Sequence, residues 1–158
     1  MNPALALAIA FGLHQLATVI WVGGMFFAHV AMRPAAKQTL KGVERLQLMQ
    51  GVFRRFFPWV WICVITLWAT GAWGFAANGI DGVHVHLMMG LAGLMTAIFI
   101  YIFFVPYRKL KLALEHEDLG RASAKLGIIR RLILVNLLLG VVTLLVGSVG
   151  RFAVALAS

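Results

Sequence analysis

The chain has 158 residues, 62% of them hydrophobic and 12% charged, with a mean hydropathy of +0.94, against roughly 45–50% apolar and about 25% charged in a soluble domain. This composition excludes a water-soluble globule and leaves one domain whose outer solvent is lipid. A single cysteine, Cys63, excludes an internal disulfide, a cysteine-based zinc site and an iron–sulfur cluster. The net charge of +9 is no nucleic-acid patch, because its basic residues fall between apolar stretches rather than on a soluble surface.

Four stretches, 3–32, 56–80, 83–107 and 132–150, contain no Asp, Glu, Lys or Arg, and each reaches the ~20 residues that cross ~30 Å of hydrocarbon as a helix. The first has no basic side chain before it and too long an apolar run for a cleavable signal peptide, so it is expected to remain as a membrane helix. Spans are expected at about 4–32, 56–77, 83–107 and 131–152.

Two connections carry nearly all the charge. The segment 33–55 sums to +5 and the segment 108–131 to +4, which puts 13 of the 14 basic residues on one side of the membrane. The positive-inside rule then predicts both connections in the cytoplasm and both termini outside. Within them, Leu40, Val43, Leu46, Met49 (or Gln50) and Phe53 recur at helical steps, as do Leu110, Leu114, Leu119, Leu126 and Ile129 more loosely. Interfacial amphipathic helices are therefore expected at about 36–55 and 109–129, lying under an anionic leaflet. The fold class read from this is all-α: a four-transmembrane-helix bundle with amphipathic cytoplasmic connecting helices.

The two halves resemble each other. His14 precedes Arg33 by 19 residues and His86 precedes Arg108 by 22, and each basic segment ends in a double arginine, Arg54-Arg55 or Arg130-Arg131. Two helix hairpins in parallel orientation, related by an axis along the membrane normal, would produce this pattern.

Polar residues inside the spans are costly without a partner or a use, and His14, His84, His86 and Asn136 lead that group. Counted from the basic ends, His14 and His86 differ in depth by roughly 4.5 Å. Residues separated by one position point about 200° apart on a helix, so His84 and His86 cannot face one centre. His86 is followed at helical spacing by Gly90, Gly93 and Ala97, and His14 by Thr18, Trp21 and Gly24, which leaves room for a flat macrocycle. A haem iron held by two imidazoles, a copper site using His84, His86, Met88 and Met89, and histidines that merely bond neighbouring helices are the three readings.

The run His14-Gln15-Leu16-Ala17-Thr18-Val19-Ile20-Trp21-Val22-Gly23-Gly24, followed by Arg33-Pro34, resembles the first helix of the CopD-like family of small bacterial membrane proteins. Arg55-Phe56-Phe57-Pro58-Trp59, Val85-His86-Leu87-Met88, Pro106-Tyr107-Arg108 and Asn136-Leu137-Leu138-Leu139-Gly140 resemble its later segments, so the likeness spans nearly the whole chain. The short members are also similar, more distantly, to the HemJ type of protoporphyrinogen oxidase, a b-haem membrane protein. That resemblance implies a cytochrome b-like, haem-binding bundle in the bacterial inner membrane, with His14 as one ligand and His86, or alternatively His84, as the second. The membrane lysine of the HemJ type has no counterpart, since all five lysines lie in the basic connections.

Together these readings give an integral membrane protein binding one haem b near the periplasmic face, for electron transfer or redox chemistry. The alternatives are a copper or haem transport or accessory protein and a protoporphyrinogen oxidase-like enzyme. Expected cofactor-binding residues are His14, His86, Trp21, Gly90, Asn136 and Arg151, the last as the cation for haem propionates. Expected partners are the bilayer, a redox partner or quinone, and a second copy of the chain in a homodimer; nucleic acid is not among them.

Overall fold

A computed structural model describes residues 2–79 and 82–157, with the side chains of 77, 78 and 151–157 left outside the description. Helix α1 (Pro3–Phe27) runs through a π turn (Ala28–Met32) into α2 (Arg33–Thr39). It is followed by α3 (Gly42–Asn78), α4 (Val83–Phe104), α5 (Pro106–Glu115) and α6 (Leu119–Ala157). No strand occurs among the described residues. Four helical units are long and apolar enough to cross a membrane, so the chain is an integral membrane protein with the all-α, four-span architecture its composition calls for.

Local signals set the boundaries. Asn2 caps α1 by accepting the Ala4 N–H at 2.9 Å, with Pro3 in the first turn, where its missing N–H costs nothing. Gly79, at φ 61°, closes α3 with its N–H on the Gly74 carbonyl, a left-handed position that glycine adopts freely. Asp118 caps α6 through the Arg121 N–H at 2.9 Å. Pro34 explains the π turn: its ring cannot donate to the carbonyl four residues back and would crowd it. The Arg33 N–H instead reaches Ala28 O, five residues back. The extra residue turns the following segment so that Ala36 becomes buried.

Each charged connection holds one separate short helix, α2 or α5, and the rest of it continues into the next span. Leu46, Met49, Phe53, Phe57, Val60 and Val64 are all buried at steps of three and four, straight through Arg54 and Arg55, so the apolar face never breaks and α3 continues as one helix of 37 residues. At ~1.5 Å per residue it measures about 55 Å, well beyond the ~30 Å of hydrocarbon. Ala122, Leu126 and Ile129 run on to Asn136 and Leu137 in α6 in the same way. The apolar core of the bundle therefore runs on into its basic end, where Tyr107, Leu110 and Ala113 of α5 are buried with Ala122, Leu126 and Ile129 of α6. Val43 and Leu119, read from the sequence as part of the apolar faces, are exposed.

The bundle consists of two hairpins, α1 against α3 and α4 against α6, each turning at the basic end through a short helix that a proline begins. Between α3 and α4 the contact is largely aromatic. Phe57 stacks on Phe53 at 5.2 Å and meets Phe99 at 5.7 Å and Tyr107 at 4.9 Å, both edge to face, while Trp61 meets Phe99 at 5.1 Å. Large rings fill a gap that the backbones leave open, in the geometries their quadrupoles favour.

Candidate functional site

His14 and His86 lie at the charge-poor end, beside the last turns of α3. His14 of α1 is half-buried, and its Nδ1 lies 2.8 Å from Thr70 Oγ1 of α3. Thr70 donates its one hydroxyl proton to the Thr66 carbonyl at 2.6 Å, so its oxygen accepts and His14 Nδ1 carries the proton. This pairing favours the tautomer that leaves the lone pair on Nε2. Its Cε1 lies 3.8 Å from where a side chain on Gly71 would begin, an ordinary van der Waals contact.

His86 stands in the first turn of α4 and is exposed, with its ring edge to face on Phe75 of α3 at 5.7 Å. Its Nδ1 lies 3.1 Å from the Gly82 carbonyl oxygen. A carbonyl only accepts, so in this contact Nδ1 is the donor. Two imidazoles from two other helices thus meet α3 near its charge-poor end, His14 at Thr70 and His86 at Phe75, contacts that stand about 7.5 Å apart along the axis and about 140° apart around it. Below His86, side chains added at Gly90 or Gly93 would meet no atom within 4 Å, and Ala97 is exposed. That face of α4 is open.

His84 points elsewhere. It is half-buried against α6, where a side chain at Gly150 would meet its Cβ. Met88, one turn on, is held in the same way against Gly147 at 2.9 Å. The two histidines of α4 face different helices, as their spacing requires, and the helical geometry keeps His84, His86, Met88 and Met89 from closing on one ion. No group of three or more His, Cys, Asp or Glu occurs among the described residues.

Trp21 and Asn136 do not join the histidines. Trp21 follows His14 by seven residues, about 10 Å towards the basic end, and packs edge to face on Phe99 at 6.3 Å. With Asn136 it lines a separate, almost wholly apolar cavity of about 160 Å³. Asn136 is 2% exposed, and its Oδ1 is buried without a partner among the described residues. Arg151 belongs to α6, but its side chain lies outside the described residues. Sequence reading passed over Thr70 and Gly82 as partners of the imidazoles; the signal for Thr70 was a hydroxyl deep in an apolar span opposite a histidine.

A family model described as "CopD: Copper resistance protein D" matches residues 50–150 of this chain, taking in His84, His86 and Asn136. No curated protein and no solved structure matches, so the HemJ likeness rests only on the residues quoted for it above.

Proposed function

This chain belongs to the CopD family, and from that premise we propose that it binds one b-type haem through His14 and His86 and passes electrons through it. The observation that carries this reading is the paired anchoring of Nδ1, to Thr70 in one case and to the Gly82 carbonyl in the other. A second partner of this kind orients a ligating imidazole and raises its basicity at Nε2. The donor set fits haem iron, which takes neutral imidazole as an axial ligand. The open face along Gly90, Gly93 and Ala97 offers a flat group room beside His86. When bound, the haem supplies a one-electron couple, and two histidine ligands leave no coordination position for a substrate, which favours electron transfer over turnover.

The test of the ligand pair is spectroscopic. His86→Ala is expected to lose haem or convert it from low spin to high spin, and His84→Ala to keep the native spectrum. Haem lost from His84→Ala alone would move the second ligand to the α6 side.

The basic residues at the other end of the bundle support a reading with both termini outside, in the inner membrane. A periplasm-dependent reporter fused after Ser158 is expected to be active, and a fusion active only in the cytoplasm would reverse this orientation. Arg151 follows Arg131 by 20 residues, which carries it to the level of the histidines at ~1.5 Å per residue. There its guanidinium suits a haem propionate. Arg151→Gln is expected to lower the reduction potential with insertion intact, because removing a positive charge disfavours the electron-rich state. An unchanged potential and unchanged haem content would leave Arg151 as an interfacial anchor.

A second reading, copper as cargo, has an observation of its own beyond the family description: His84 and Met88 share one face, against Gly150 and Gly147, and imidazole with thioether suits Cu(I). Copper analysis of the purified protein separates the two, since this reading requires bound copper that His84→Ala removes.

A further inference from the structure

At the basic end Arg33, Lys37, Arg45 and Arg130 line one small cleft floored by Met49 and Leu126. Arg33 and Lys37 stand one turn apart on α2, Arg45 comes from the first turn of α3, and Arg130 follows Leu126 by one turn on α6. No carboxylate lines the cleft. The Nε atoms of Arg45 and Arg130 are buried and have no hydrogen-bond partner among the described residues. The ion pair found among those residues, Arg121 with Asp118 at 3.5 Å, belongs to the exposed start of α6. Burial, and then the like charges of Arg33, Arg45 and Arg131, draw Arg130, just beyond the fourth span, below the ordinary guanidinium range.

Arg33, Arg45 and Arg130 are half-buried and Lys37 is exposed, and the buried Nε atoms of Arg45 and Arg130 are groups that ordinarily find a partner. The packing of α2, α3 and α6 brings the four like charges together with no carboxylate among the described residues lining the cleft, which favours a counter-charge from outside the chain. The cleft measures about 20 Å³, close to the volume that one water or one phosphate oxygen occupies. It therefore admits the edge of an anion rather than a whole molecule.

What adjoins it decides the class of ligand. The apolar cavity of about 160 Å³ is lined at its near end by Met32, Val52, Phe56 and Ile133. Met32 precedes Arg33, Val52 follows Met49 by three residues and Ile133 follows Arg130 by three, so cavity and cleft lie about one helical turn, ~5 Å, apart. A free phosphate would use the cleft and leave the cavity unused. A neutral quinone would use the cavity and leave the cations unpaired.

We propose that the cleft binds the phosphate of an acidic glycerophospholipid whose acyl chain enters the adjoining apolar cavity. Arg33 and Arg130 stand at the ends of the first and fourth spans, the level of the headgroups, where basic pockets between helices take anionic lipids. Guanidinium groups match phosphate oxygens with paired hydrogen bonds that lysine cannot reproduce.

The test uses the full chain in nanodiscs of phosphatidylcholine with a titrated fraction of phosphatidylglycerol, with bound lipid counted by native mass spectrometry. The double variant Arg45→Gln/Arg130→Gln is expected to lose phosphatidylglycerol retention by about tenfold or more. The variant Arg54→Gln/Arg55→Gln, which removes the same charge from exposed positions, is expected to retain it. Millimolar inorganic phosphate is expected not to displace the lipid. Equal loss in both variants would reduce the effect to diffuse attraction, and displacement by phosphate would assign the cleft to the free anion; either overturns the proposal, as does equal retention of phosphatidylcholine. Should the double variant fail to fold, Arg33→Gln alone reads the same retention against the same control.

Discussion

Membranes containing His14→Ala are expected to lose the b-haem absorption of the unaltered protein, or to retain a high-spin remnant held by one ligand. His14 is half-buried between α1 and α3, and its Nδ1 lies 2.8 Å from Thr70 Oγ1. The intermediate case is Thr70→Val. It keeps the shape of the side chain and removes the acceptor that orients the ring, and loss of such a partner costs metal affinity about 10- to 100-fold. Thr70→Val is therefore expected to bind haem with reduced occupancy and a shifted potential, measured by redox titration of the reduced-minus-oxidised spectrum. Were His14 only a packing residue, both variants would lower thermal stability and leave the spectrum of the folded fraction unchanged.

The second large effect is expected from a pair of glycines. Gly150 faces His84 so closely that any side chain there meets the histidine Cβ, with Cγ at 2.7 Å. A Cβ cannot swing away as the end of a flexible chain can. Gly150→Leu must therefore push α4 from α6, and overpacking of this kind costs about 1–3 kcal/mol, read as a lower melting temperature in detergent. Gly90→Leu should behave in the opposite way. Nothing lies within 4 Å of the position a side chain would take, so stability is expected to hold while haem occupancy falls, because the leucine fills the face beside His86. Equal stability loss in the two variants would contradict the packing described for α4, and undiminished haem in Gly90→Leu would remove that face from the site.

The spans were legible because hydrocarbon thickness fixes their length and the cost of charge fixes their ends. The same signal misled at Arg54 and Arg55. Charge marks where lipid stops, not where a helix stops, and the continuity of α3 was written instead in the unbroken phase from Leu46 to Val64. Pro34 was visible as a proline, but the π turn it causes depends on how α1 and α2 are both held against their neighbours. The faces of His84 and His86 followed from 100° per residue alone. Thr70 as the partner of His14 did not, because which side chains meet across two helices depends on their lateral packing, which no periodicity records. Asn136 could have been separated from the histidines by depth: it follows Arg131 by five residues, whereas His14 precedes Arg33 by 19. The structure places it accordingly, in the cavity shared with Trp21.

The measurement that bears most directly on the function is the reduced-minus-oxidised absorption spectrum of the purified full-length protein, taken with its iron and copper content. The account predicts the α, β and Soret bands of a low-spin b-type haem, iron near one per chain and no stoichiometric copper. A featureless spectrum from folded protein expressed with adequate haem supply, above all one accompanied by bound copper, would contradict it.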